Sequence, residues 1–142
     1  MRFYLLVLSS LFIISMSNGQ EYSRKELKYK PVNLNEAVIQ LKKIHNDSIK
    51  QKILTMSEEE FVLNSHMGLG MWIRNNWGLW KRKKLADYFN TIGVYHPDDM
   101  SGIILTSYYR ELNGENWKVD NQVENYKLFW KEKNNEQKTN RE

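Results

Sequence analysis

The chain has no cysteine and only two prolines, Pro31 and Pro97. Without a thiol there is no disulfide, no cysteine nucleophile and no thiolate metal ligand. There is also no cysteine behind the leading apolar run to carry a lipid anchor. The protein must therefore hold itself together by packing alone. Alternation of apolar and polar residues over strand length is also missing, apart from a short extended piece expected at Trp117-Lys118-Val119, so the pattern gives no sheet. Charge of one sign is not in large excess either. Lys and Arg number 21 against 17 Asp and Glu, a formal +4, spread out and partly terminal, which gives no argument for nucleic acid as a partner.

Long hydrophobic runs are absent except at the start. Arg2 is the one charge in residues 1–19, Phe3 to Ile14 is almost wholly apolar, and Ser17 and Gly19 are small. A basic start, an apolar run and a small-residue site read as a secretory signal peptide with cleavage after Gly19. The apolar run is shorter than the roughly 20 residues of a membrane span, so no stable span is expected after cleavage. Removing 19 of 142 residues, one of them basic, leaves 123 residues at a formal +3. That is one domain with room for one core.

Helical signals follow. Residues 20–33 are polar, end in Lys30-Pro31 and read as a linker. Leu34, Val38, Leu41 and Ile44 recur at helical spacing behind Asn33 as N-cap. Asn46 or Asp47 can cap a short helix carrying Ile49, Ile53 and Leu54. Ser57 and Glu60 form a capping box ahead of Phe61-Val62. Lys81 to Asn90 reads as a helix with Leu85, Tyr88 and Phe89 inward, opened by the solvated run Lys81-Arg82-Lys83-Lys84 and closed by Gly93. Pro97-Asp98-Asp99 is a start signal, with proline in the first turn and two acids at the positive end of the dipole. That helix runs to about Asn113 and stops at Gly114, with Ile104, Leu105, Tyr108 and Leu112 inward and Ser101 among them. Asp120 can cap a last helix bearing Val123, Tyr126, Leu128 and Trp130. Residues 131–142 are polar and read as a fraying tail. The fold class is all-α: a compact single domain of five to six short helices over 34–130, after an N-terminal signal peptide.

The densest chemistry lies in His66 to Trp80, which holds three tryptophans, three glycines, one arginine, one histidine and two asparagines in fifteen residues. Tryptophan supplies apolar area with one N–H donor, and arginine binds carboxylates and phosphates in a forked geometry. Read as one helix, this segment puts Leu69, Trp72, Ile73, Asn76 and Trp77 on one buried face, with Trp72 and Ile73 at its centre and Gly70 and Arg74 on a flank. A buried Asn76 or Ser101 needs a hydrogen-bond partner. The structural reading has these groups satisfying each other, the aspartates capping, and Arg74 pairing with Asp98 or Asp99. The functional reading is a concavity lined by Trp72, Trp77 and Trp80, with His66, Arg74, Asn75, His96, Asp98 and Asp99 as polar groups.

Several chemistries fit the residues poorly. A Ser-His-Asp set drawn from Ser101, His96 or His66, and Asp99 lacks a nucleophile elbow. His66, His96 and Asp98 or Asp99 are metal-ligand types without local ligand spacing. Glu58, Glu59 or Glu60 with Asp98 or Asp99 could form a glycosidase pair, but three glutamates in a first turn are more simply capping and dipole residues. No metal and no cofactor is expected.

The blocks Gly70-Met-Trp-Ile-Arg-Asn-Asn-Trp-Gly-Leu-Trp80 and His96-Pro-Asp-Asp-Met-Ser101, with Leu85, Tyr88-Phe89 and Leu112-Asn-Gly114, resemble a small bacterial domain family of unknown function. The resemblance covers about Leu34 to Trp130. It implies that residues 66–114 form one unit and carries no activity. Members of that family are often stand-alone proteins without an export signal, and this chain departs from them there.

The expected protein is an exported, periplasmic or secreted, small helical binding domain. Its partner is a small anionic or sugar ligand, held in a Trp/Arg/His/Asp-lined concavity, or a protein. Two alternatives stand beside it: a cell-envelope hydrolase using His and Asp, and an immunity-type protein-interaction module.

Overall fold

The structure is a computed structural model that describes residues 24–139; the signal-peptide expectation for residues 1–19 lies outside them. Among the described residues there is no strand. The helices are α1 (Arg24–Lys28), α2 (Leu34–Ile44), α3 (Asp47–Leu54), α4 (Glu58–Ser65), α5 (Met71–Asn76), α6 (Lys84–Thr91), α7 (Pro97–Leu112) and α8 (Val119–Thr139). A π-helical segment, His66–Gly70, joins α4 to α5, and a 3₁₀ turn, Leu79–Lys81, follows α5. No helix among the described residues is long and apolar enough to cross a membrane.

The caps of α2, α3 and α4 are the ones the sequence specifies. The Asn33 and Asn46 side chains accept from the backbone N–H of Glu36 and Ile49. Ser57 and Glu60 cap each other's backbone. His96 caps α7, its Nδ1 accepting from the Asp98 N–H at 3.3 Å, and Pro97 opens the helix. Gly93 and Gly114 turn the chain with φ of +85° and +69°, where a side chain would be strained.

α7 is the axis. Every residue from Asp99 to Leu105 is buried, as are Ser107 and Tyr108. A helix apolar all round is one enclosed by others, and α2, α3, α4, the π segment, α5, α6 and α8 all pack on it. Leu34, Val38, Leu41 and Ile44 of α2, Phe61 of α4, Ile73 of α5, and Leu85 and Phe89 of α6 complete the core. Gly102 lets α8 approach: a Cβ there would run into the Tyr126 hydroxyl. At the far end of α7, Arg110 makes a two-pronged bond to Glu58, both contacts at 2.7 Å, and donates to the Trp117 carbonyl at 2.8 Å.

Several local expectations are corrected. The buried face of the 66–80 segment is Gly70, Ile73, Arg74 and Trp77. It is rotated from the expected one by about one residue, or roughly 100°, because a hydrogen-bonded arginine goes inside. Trp72 is half-buried and packs edge-on to the buried Trp77. Asn76 is exposed and donates to its own helix at the Trp72 carbonyl. In place of the extended piece at 117–119, Trp117 and Lys118 are irregular, with Lys118 at φ +49°; α8 begins at Val119, so Asp120 lies within its first turn rather than at its cap. The expected polar tail is helical to Thr139, because Lys, Glu and Gln are good helix formers even without a buried face. Part of the expected linker forms α1, whose Glu26 carbonyl accepts from the buried Gln40 amide. The basic run 81–84 is exposed as expected, but it straddles the turn before α6 rather than forming its first turn.

Trp77 rather than Trp72 therefore anchors the core. Trp77→Ala is expected to cost about 3–5 kcal/mol, and Trp72→Ala clearly less, in paired urea denaturations.

His45 supplies a pH-dependent element. Its Nδ1 lies 2.8 Å from the Tyr108 hydroxyl. Burial, helped by the nearby Lys50 charge, lowers its pKa from 6.5 to about 4. The unfolded chain takes up the proton first as pH falls. The stability tied to neutral His45 is thus complete above the unfolded value and lost between about 6.5 and 4, by about 3 kcal/mol. Denaturation midpoints measured across this window should fall with pH for the wild type and fall less for His45→Gln.

Candidate functional site

The start of α7 is held by Arg74, whose side chain is 5% exposed. Its Nε lies 3.0 Å from Asp98 Oδ1. Nη1 donates to Ser101 Oγ at 2.8 Å and Nη2 to the His66 carbonyl at 3.1 Å. Ser101 Oγ in turn donates to the Asp98 carbonyl at 2.9 Å. Gly70 makes room for this arrangement, since a Cβ there would stand 3.2 Å from Nη1. The guanidinium is consumed by the protein's own acceptors and lies away from solvent, so it is a fastener and offers no open fork to a ligand.

Asp98 is flanked by two half-exposed histidines. His66 Nε2 lies 3.9 Å from its Oδ1 and His96 Nδ1 3.5 Å from its Oδ2. Among the described residues no cluster of three or more His, Asp or Glu is arranged to hold a metal ion.

Asp99 points elsewhere. It is buried, and burial pushes its carboxyl above the usual range against the pull of the Trp130 hydrogen bond. Trp130 Nε1 donates to its Oδ2 at 2.6 Å. The carboxyl opens onto a groove of roughly 610 Å³ between the α6–α7 loop and α8. The loop contributes Val94, Tyr95 and His96, and α8 contributes Tyr126, Trp130 and Asn134 among others. The His96 ring packs on Trp130 at 5.5 Å and on Trp80 at 6.2 Å. Lys133 sits 5.2 Å from the centre of the Trp130 ring. Burial, reinforced by the Asp99 and Asp98 charges, raises the pKa of the Tyr126 hydroxyl. Tyr95 is 74% exposed at the groove mouth.

Of the residues singled out by sequence, His66, Arg74, His96 and Asp98 meet in one cluster, Trp80 joins it through His96, and Asp99 lies beside it. Trp77 is core, Trp72 packs on Trp77, and Asn75 is exposed. The expected tryptophan-lined concavity is therefore not formed by Trp72, Trp77 and Trp80. Of the nine candidates only His96 and Asp99 line the groove. Sequence reasoning missed Tyr95, Tyr126, Trp130, Asn134 and Asn135 as groove residues. Tyr126, Trp130 and Asn134 share a face of α8 at helical spacing, whereas Tyr95 and Asn135 carry no such signal.

If Arg74 is a fastener, Arg74→Ala should cost about 3 kcal/mol. This is the low end of the range for stripping a partner from a buried pair, because Asp98 keeps contact with water. Arg74→Lys should not restore the loss, since one ammonium cannot span three acceptors. Urea denaturation of both variants, with Asp98→Asn to close a double-mutant cycle, checks this.

Residues 30–112 match the family described as Domain of unknown function (DUF6794). No curated protein and no solved structure matches the chain. One wall of the groove, Val94 to Asp99, lies within the matched segment, and the other, on α8, lies after it. The match spans more than half of the 142 residues, and the chain belongs to the DUF6794 family.

Proposed function

We propose that this protein is an exported binding domain that takes a sugar ring in the groove between the α6–α7 loop and α8. The observation that carries the reading is the buried Asp99 carboxyl opening onto a largely apolar groove of roughly 610 Å³. That size is typical of a small-molecule site with a few fixed polar groups. A pyranose has apolar C–H faces and a rim of hydroxyls. Asp99 accepts from a hydroxyl, and the Asn134 and Asn135 amides both donate and accept. Tyr95 makes no ring–ring contact among the described residues and offers an open face at the mouth. The residue pattern of 1–19 supports export, which would bring the domain to envelope sugars.

Two features favour binding over hydrolysis. Glycoside cleavage uses two carboxyl groups facing one bond. Asp99 lines the groove, whereas Asp98 does not and is tied to Arg74. The anionic-ligand version is weakened because Arg74 is internally satisfied, although Lys127 and Lys131 line the groove.

Titration of the full-length protein with glucose and N-acetylglucosamine should give saturable changes in tryptophan fluorescence, with a Kd near roughly 1 mM. Tyr95→Ala and Asp99→Asn should each weaken binding severalfold with the fold intact by circular dichroism. Saturation by inorganic phosphate with no response to either sugar would overturn the reading.

A further inference from the structure

A second cavity of roughly 250 Å³ adjoins the groove, and Tyr95 lines both. Buried Leu79, Ala86 and Met100 lie along the second cavity, and Trp80, Arg82 and Asn90 bring it an aromatic ring, a cation and an amide. Trp80 is 53% exposed, and its ring meets His96, a wall residue of the first groove. The two cavities are thus neighbouring subsites with Tyr95 as the shared wall.

The second subsite holds a forked cation, Arg82, with no carboxylate in its lining, whereas the first sets Lys127 and Lys131 beside Asp99. Arg82 stands in the run Lys81-Arg82-Lys83-Lys84, all four exposed. None of the four takes part in an ion pair among the described residues. Neighbouring unpaired cations raise the local potential and attract an anion. The forked guanidinium suits a carboxylate or sulfate group.

We infer that the ligand is an acidic oligosaccharide: one ring lies in the Asp99 groove, the chain crosses Tyr95, and an acid-bearing sugar sits between Trp80 and Arg82. This rests on the sugar reading above and adds to it the length and charge of the ligand. A monosaccharide fills only the first subsite. A longer acidic chain adds a second stacking surface and a charge-assisted contact without a second loss of translational freedom. A neutral chain gains only the stacking.

The test compares three probes on the full-length protein by fluorescence titration at low and high salt: N-acetylglucosamine, chitotetraose, and a hyaluronan tetrasaccharide in which N-acetylglucosamine alternates with an acidic sugar. The acidic tetrasaccharide should bind at least about tenfold more tightly than the monosaccharide and lose much of that advantage in high salt. Arg82→Gln should bring its affinity down to that of chitotetraose. Trp80→Ala should weaken both tetrasaccharides by a larger factor than it weakens N-acetylglucosamine. Both positions are exposed, and a circular-dichroism melt confirms that each variant folds. Equal affinity for the monosaccharide and both tetrasaccharides overturns the extended ligand while leaving the single-ring reading intact. Equal affinity for the two tetrasaccharides, above that of the monosaccharide, overturns the acidic requirement. Binding of none of the three overturns this inference and the sugar reading together.

Discussion

The buried guanidinium of Arg74 is the constraint on which the site depends. A charge taken out of water is costly unless its donors are matched. Here they are matched by three groups from two places: the His66 carbonyl at the head of the π segment, and Asp98 and Ser101 in the first turn of α7. The π segment and the central helix are thereby locked in one relative position. Asp98 serves twice, as the counter-ion of Arg74 and as an acid at the positive end of the α7 dipole. The backbone of His96 and Tyr95 follows directly from that fixed turn, so the loop wall of the groove inherits its position from Arg74, Asp98 and Ser101, none of which lines the groove.

The second wall is set by close approach. Gly102 has no side chain where the Tyr126 hydroxyl lies, so α8 can settle against α7. The Trp130–Asp99 hydrogen bond then fixes how far along α8 this contact runs. Val123 and Gln122 are the buried residues of α8, while Leu128 and Phe129 face outward. α8 therefore rests on α7 by a narrow stripe, and residues 131–139 are exposed. A helix attached in that way leaves a cleft along its edge, and this cleft is the groove.

How far the sequence revealed this depends on which signal each residue carries. Asn33, Asn46, the Ser57–Glu60 pair and Pro97-Asp98-Asp99 announce their helix starts because first-turn chemistry is local and needs no knowledge of the fold. The inward faces of α2, α6 and α7 are legible for the same reason: Leu34, Val38 and Leu41, Leu85 and Phe89, and Ile104 and Tyr108 repeat at the helical period. Asn76 and Trp72 misled because periodicity of apolar residues alone treats an arginine as a surface group. Once Arg74 has matched acceptors it turns inward, and the whole face of α5 rotates with it. The groove was the least legible part. It needs Tyr95 from a loop and Asn134 from a polar stretch brought opposite each other, and nothing local to either segment records that meeting. The expectation that Arg74 reaches Asp98 fared better, because an arginine flanked by glycines and a pair of adjacent acids were each conspicuous on their own.

Asp98 and Asp99 show how neighbouring, chemically identical residues come to hold different roles. One step along a helix turns a side chain by roughly 100°. At the first turn of α7 that rotation separates the side facing the π segment from the side facing α8. Asp98 meets a cation that keeps its charge matched, while Asp99 meets an indole N–H and an apolar wall. Matching by Arg74 leaves Asp98 little capacity for a ligand and much for structure. Asp99 has its charge opposed by burial and only partly compensated by Trp130. On the proposed sugar reading, a hydroxyl donor in the groove relieves that imbalance, and Asp99 rather than the Arg74-bound Asp98 is the carboxylate that accepts it.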